Sequence, residues 1–181
     1  MPSQLLNSKG IRLRAIEPED LEHFYRWEND TTLWSTGTNV APISRFALRQ
    51  YIESTLSADL YTSHDLRLVI ERISDKQVIG SADLYDIDHH HRRATIGILI
   101  DPQFQQQGYG KVALEELKIY ATQFLSIENL HGYISVKNSH STKLFLNAGF
   151  TISGTLKRWI RIGNEYEDVN IIQYLATKQG E

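Results

Sequence analysis

At 181 residues the chain has room for a single domain, residues 1–181, with a substantial buried core. Its 41% hydrophobic and 23% charged composition is that of a soluble globular protein, and a net charge of −3 supplies no basic field to draw it onto nucleic acid. There is no cysteine, which removes a thiol nucleophile, a disulfide framework and a Cys-ligated zinc site; no apolar run nears the ~20 residues of a membrane span, and Met1-Pro2-Ser3-Gln4 lacks the charged and apolar regions of a signal peptide, so a cytoplasmic location without a membrane partner is expected.

Taken in order, Ile11-Arg12-Leu13-Arg14-Ala15 alternates as a short first strand. Glu17-Pro18-Glu19-Asp20 opens a helix that carries Leu21, Phe24, Tyr25 and Trp27 at helical spacing and ends at Asn29-Asp30. A polar loop with Trp34, Gly37 and Pro42 leads to Ser44, an N-cap for a second helix through Ile52. Leu66 to Ile73, Val78 to Ile87 and Arg92 to Ile100 read as three strands, joined by the turn Ser74-Asp75-Lys76-Gln77 and the connection Asp88-His89-His90-His91. Val112, Leu114, Leu117, Tyr120, Ala121 and Phe124 line one face of a third helix, and Leu130 to Val136 is a fifth strand. A fourth helix holds Leu144, Phe145 and Ala148 and stops at Gly149; Phe150 to Ile162 and Glu165 to Leu175 close the chain as a hairpin. The order implies an α+β fold on a mixed, mostly antiparallel sheet of about seven strands, flanked by about four helices.

Chemistry concentrates between Ala94 and Phe124, where a buried strand runs through Asp101-Pro102 into Gln105-Gln106-Gln107-Gly108-Tyr109-Gly110-Lys111 and then a helix. A helix N-terminus presents unpaired N–H groups and the positive end of its dipole, which suits a phosphate. Gly108-x-Gly110-x-x-Ala113 also fits a dinucleotide fingerprint, but there the first glycine sits directly at the strand end, and here Asp101 to Gln107 intervenes. No Gly-Lys-Ser/Thr is present, which excludes a P-loop. A plain glycine turn before a core helix is the remaining alternative.

Three motifs occur in sequence: Gln-x-x-Gly-x-Gly after a strand and Pro102, then Val136-x-Asn138-x-x-Ser141, then Asn147-Ala148-Gly149-Phe150. Together they make the chain resemble the GCN5-related N-acetyltransferase (GNAT) superfamily from Ile11 to the final hairpin. Gly80-Ser81-Ala82-Asp83-Leu84, Asp88-His89-His90-His91-Arg92-Arg93-Ala94 and the Gly163-Asn164 turn look most like the bacterial spermidine/spermine acetyltransferases. Ribosomal-protein N-terminal acetyltransferases are similar by the same signs.

The resemblance implies a GNAT fold whose fourth and fifth strands splay apart, acetyl-CoA as co-substrate, and direct attack by a primary amine with no covalent enzyme intermediate. The pyrophosphate would rest on backbone N–H groups of Gln105, Gln106, Gln107, Gly108, Tyr109, Gly110 and Lys111. The pantetheine would pair with Ile98, Leu99 and Ile100, the Leu99 N–H polarising the acetyl carbonyl. Asn138 would bind the pantetheine or cap the helix, two readings equally open, and Ser141, Leu144 and Phe145 would line the cofactor. Asp83 is the expected base, with an exposed strand residue as the alternative. Two positions depart from the family pattern: Phe145 stands where a tyrosine commonly acts as acid, and Thr95 where Glu is common. The acceptor would be a small polyamine-like amine held by Glu28, Trp34, Asp83 and Glu167, or else a protein N-terminus. The departures also admit a non-catalytic CoA-binding sensor. His89-His90-His91 reads as a solvated turn, since successive residues point apart, so no metal is expected. Self-association into a homo-oligomer is compatible with the sequence.

Overall fold

The computed structural model describes residues 6–34, 41–57 and 59–176; Gly37 of the expected loop and the start Met1-Pro2-Ser3-Gln4 lie outside these segments. The strands are β1 (Asn7–Ser8), β2 (Ile11–Ala15), β3 (Leu66–Arg72), β4 (Gln77–Asp88), β5 (Arg93–Ile100), β6 (Asn129–Ser135), β7 (Thr151–Ile162) and β8 (Glu165–Leu175). They form one sheet in the order β1-β2-β3-β4-β5-β6-β8-β7. Every neighbouring pair is antiparallel except β5 and β6, which run parallel. The α-helices are α1 (Leu21–Glu28), α2 (Thr31–Trp34), α3 (Arg45–Ser57), α4 (Leu60–Ser63), α5 (Tyr109–Ile119) and α6 (Ser139–Asn147). The described residues thus hold eight strands rather than seven and six α-helices rather than four. The additions are a two-residue strand and two four-residue helices, too short to carry a periodic signal.

Each face of the sheet has its own core. Ile70, Ala82, Leu84, Ile96 and Leu130 pack beneath α5 and α6 with Leu114, Leu117 and Phe145. On the opposite face Val69 and Val78 meet Phe24 and Trp27 of α1 and Leu48 and Ile52 of α3. Ser44 starts α3 as expected, its hydroxyl accepting the Ala47 N–H at 3.1 Å. That helix runs a turn further than expected, with the Ser54 and Thr55 hydroxyls bonded back to the Tyr51 and Ile52 carbonyls. After Ile119 the α5 helix widens into a π-helical turn over Tyr120–Phe124.

The feature that positions the site is the separation of β5 from β6. Only Arg93, Ala94 and Thr95 pair with Asn129, Leu130 and His131; beyond them the strands diverge. Burial follows: Ala94, Thr95 and Ile96 are buried, whereas Gly97, Ile98, Leu99 and Ile100 are half-buried. At the junction, a β-carbon on Gly132 would lie 3.3 Å from the Ile96 carbonyl oxygen, so the glycine allows β6 to pass close before it leaves.

A bulge between Ile70 and Glu71 shifts the register of β3 against β4. Beside it, a β-carbon on Gly80 would stand 2.1 Å from the Leu99 carbonyl oxygen and 3.2 Å from the Ile70 Cδ1. Gly80→Ala is therefore expected to destabilise the protein by about 3 kcal/mol, since backbone must move to admit the methyl. This lowers Tm by about 6–12 °C for a chain of this size. A calorimetric scan checks it, and an unchanged Tm would contradict the close approach.

Candidate active site

Between the diverging strands the edge of β5 has no partner strand among the described residues. Which of its groups face the opening follows from the antiparallel ladder, in which hydrogen-bonded and non-bonded pairs alternate. The Asp101 N–H donates to the Ile79 carbonyl at 2.9 Å, so the residues two and four positions back, Leu99 and Gly97, also turn their backbone groups toward β4. Leu99 lies opposite Ser81. Its N–H is committed to the ladder and is not the donor into the opening. The groups that face the opening belong to Ile98 and Ile100, and Gln105 Nε2 already donates to the Ile100 carbonyl at 3.0 Å.

The opening leads to the glycine loop. Asp101 caps a 3₁₀ turn over Pro102–Phe104, its side chain accepting the Gln103 N–H at 3.0 Å. Gln106, at φ 61°, and Gly108, at φ 86°, then reverse the chain in the left-handed region. Gly108 is the N-cap of α5 and contributes no side-chain cap bond. The first intrahelical bond is Val112 N–H to the Gly108 carbonyl at 3.4 Å. The N–H groups of Tyr109, Gly110 and Lys111 thus sit at the positive end of the dipole without an intrahelical acceptor. Residues 105–108 are exposed, as is Lys111. A β-carbon on Gly110 would touch Ile100 at 3.5 Å and Leu144 at 3.6 Å, so the strand end, the loop and α6 converge there.

Asp101 fixes this corner. It is 2% exposed and accepts the Trp27 indole N–H at 2.8 Å and a guanidinium N–H of Arg26. Trp27 therefore belongs to the core and holds α1 to the end of β5, a tie between residues 74 positions apart in sequence.

On α6, Asn138 caps the helix, its Oδ1 accepting the Ser141 N–H at 3.0 Å. Ser141 and Leu144 are half-buried on that helix. Phe145 is 6% exposed and meets Phe150 edge-on with ring centroids 5.0 Å apart. It is packed in the core, and Leu144 is the neighbour that borders Gly110. Phe145→Tyr is accordingly expected to bury an unpartnered hydroxyl, a loss of roughly 2 kcal/mol and about 4–8 °C in Tm, without restoring a proton donor. Thermal unfolding beside a turnover assay checks this; faster turnover at unchanged Tm would contradict it.

On the face covered by α1 and α3, Arg67 stands between two acids. Its guanidinium pairs with Glu28 at 2.9 Å and Asp83 at 3.0 Å. Burial works against the charge of Arg67, but Asp83, Tyr51 and Glu28 outweigh it and raise its pKa. For Asp83, burial pushes the carboxyl above the ordinary aspartate value, while Arg67 and the Ser81 hydroxyl, 3.3 Å away, pull it down. The Asp83 side chain keeps 17% of its surface exposed, enough for a proton to reach it. Trp34 joins this group through its indole N–H, which donates to the Glu28 carbonyl at 2.8 Å. Glu167 does not. It lies on β8 beyond β6, buried against Ser135 at 2.5 Å and Lys137 at 2.7 Å, and Lys137 first, then Ser135, hold its pKa low. At the apex of the opening the Thr95 hydroxyl lies 3.1 Å from His131 Nε2. Burial, then the charge of Arg93, lowers the His131 pKa and favours the neutral ring.

His91 N–H donates to Asp88 at 2.8 Å within the histidine turn. No three His, Asp or Glu side chains among the described residues are grouped to hold a metal ion, and none of the described helices is long and apolar enough to cross a membrane.

A family model for the acetyltransferase (GNAT) domain matches residues 11–151. A spermidine N(1)-acetyltransferase of Vibrio cholerae is 25% identical over 173 residues, 96% of each chain. The crystal structure of a spermidine N-acetyltransferase from Vibrio cholerae in complex with CoA and spermine aligns with a TM-score of 0.85 at 24% identity, over 93% of this chain and 96% of that one. A dodecameric spermidine N-acetyltransferase from Vibrio cholerae, in an intermediate state, aligns at 0.80 and 23% identity, over 93% and 95%. With its diverging parallel strands, glycine loop and family match over most of its length, the chain belongs to the GNAT acetyltransferase family.

Proposed function

We propose that this protein transfers the acetyl group of acetyl-CoA to a primary amine of a small polyamine-like cation, by direct attack. The observation that carries the proposal is the continuous path from the unpartnered edge of β5 at Ile98 and Ile100 to the N–H groups at the start of α5. That edge suits an extended amide chain such as pantetheine, and the helix start suits its pyrophosphate. Ile98 supplies the N–H that polarises the acetyl carbonyl as negative charge develops on its oxygen. Leu144 borders the same path at Gly110, and the Asn138 NH₂ group, which its cap bond does not use, and Ser141 are assigned to the pantetheine beside it. Asp83 takes a proton from the incoming ammonium, directly or through one water. With no cysteine in the sequence, no thiol of the protein takes the acyl group from CoA.

Polyamine-like acceptors are supported by the spermidine N-acetyltransferases among the relatives and by Glu28 and Asp83, two carboxylates against the one guanidinium of Arg67. That small excess of negative charge also suits an acceptor with a single ammonium, which favours a protein N-terminus as the second reading. Self-association into a homo-oligomer belongs to the proposal; the dodecameric relative supports it, as do Ile152 and Trp159, exposed at 46% and 60% on the edge strand β7.

The test offers acetyl-CoA with equal concentrations of spermidine and a short unblocked peptide, products being read by mass spectrometry. Acetylated spermidine is the expected product. Acetylation of the peptide alone would move the acceptor to the second reading, and CoA binding without either product would leave a sensor.

A further inference from the structure

A thioester that loses its sulfur to an amine leaves a thiolate, and Phe145 of α6, packed in the core, has no proton to give it. On the other face of the sheet, two tyrosines flank the opening with hydroxyls that have no hydrogen-bond partner among the described residues, Tyr85 on β4 and Tyr133 on β6. They differ in burial. Tyr133 is 50% exposed, whereas Tyr85 is half-buried.

Tyr85 pairs in register with Thr95, the last residue of β5 held by β6. Its ring does not stay above Thr95. It leans along β5 until Cε1 lies 3.7 Å from the place a β-carbon on Gly97 would occupy. Asp83, directly opposite Gly97, approaches the same place, its Cβ 3.9 Å away. Gly97 thus clears a spot where β5 has just left β6, and the expected base and a tyrosine converge on it from β4. The spot adjoins Ile98, whose N–H faces the opening. Strands lie ~4.8 Å apart, a distance that a tyrosine lying across one strand spans.

Resting on the acetyltransferase reading above, we propose that Tyr85 is the catalytic acid, giving its phenolic proton to the sulfur as the carbon–sulfur bond breaks. The amine nitrogen supplies the electron pair of the new carbon–nitrogen bond, and the carbon–sulfur pair departs with sulfur. Of the two protons the ammonium loses on becoming an amide, one leaves to water and the other passes to Asp83; sulfur takes the proton from Tyr85, and the phenolate recovers one from Asp83. One amine proton ends on the CoA thiol and both side chains return to their starting state. Burial first, then the charges of Asp83 and Asp86 and the neighbouring Tyr133, raise the Tyr85 pKa, so the hydroxyl is protonated before each turnover.

Single-turnover rates of the full chain test this with acetyl-CoA and with its selenoester analogue, whose selenol leaves without needing a proton. Tyr85→Phe is expected to slow the reaction of acetyl-CoA at least tenfold, with the KM for acetyl-CoA within twofold and Tm unchanged, because the lost hydroxyl has no partner among the described residues. With the selenoester the loss should fall below twofold. An equal loss with both donors would overturn the acid role. So would an unchanged rate in Tyr85→Phe, or a donor-dependent loss in Tyr133→Phe instead. Absence of turnover by the unmodified protein with every amine would overturn the acetyltransferase reading itself, a failure separate from that of Tyr85.

Discussion

Gly108→Trp is expected to weaken CoA binding at least a hundredfold, about 2.7 kcal/mol, in a protein that still folds. Gly108 stands at φ 86° with no atom within 4 Å of the place a β-carbon would take. The space above it is open, so an indole does not collide with the core. The strain of a left-handed non-glycine residue lowers stability by roughly 1–2 kcal/mol. The indole would instead cover the N–H groups at the start of α5, where a phosphate needs close backbone approach. Calorimetric titration with CoA, beside a thermal scan, separates the two effects. Unchanged affinity would place the pyrophosphate elsewhere.

Asp83→Asn is expected to lower kcat about a hundredfold while leaving the KM for acetyl-CoA unchanged, the size of effect removed with a positioned base. The substitution keeps the shape of the side chain, and Arg67 retains Glu28. The pH profile gives the sharper sign. A base must be ionised to act, and burial raises the Asp83 pKa against the pull of Arg67. The acidic limb of kcat should therefore lie above the ordinary carboxylate range in the unmodified protein, with activity lost as pH falls through it. In Asp83→Asn that limb should be absent. A limb that persists unchanged in the variant would assign the proton to another group, Glu28 beside Arg67 or His131 at the apex of the opening.

The long, periodic elements were legible in the sequence because their apolar residues repeat at the spacing of a strand or a helix. The glycine loop was legible because left-handed backbone at a helix start restricts residue choice. What escaped was set by register. Counting straight back from the Arg72–Gln77 pair beside the turn puts Arg67 opposite Ala82; the bulge after Ile70 puts it opposite Asp83. A slip of one residue moves a side chain to the other face of a sheet, so the pairing that governs Asp83 was hidden by one unread bulge. The same holds for Leu99, whose N–H direction follows from the Asp101–Ile79 bond. Glu167 reads as an acid free to attract a cation until folding brings Lys137 and Ser135 against it from 30 or more positions away. The tie of Trp27 and Arg26 to Asp101 spans still more chain and left no local mark. The need for some partner was within reach of the sequence: a charged residue inside the apolar run Leu66-Arg67-Leu68-Val69-Ile70 asks for one on the strand across the turn, though the bulge hid which residue it is.

The most direct measurement of the central claim is release of free CoA thiol from acetyl-CoA by the purified protein, followed with and without a panel of amines. Thiol release that requires an amine, is greatest with a polyamine and yields one acetyl-amine per thiol is the result expected. Tight CoA binding with no amine-dependent release, across polyamines and peptide N-termini alike, would contradict it.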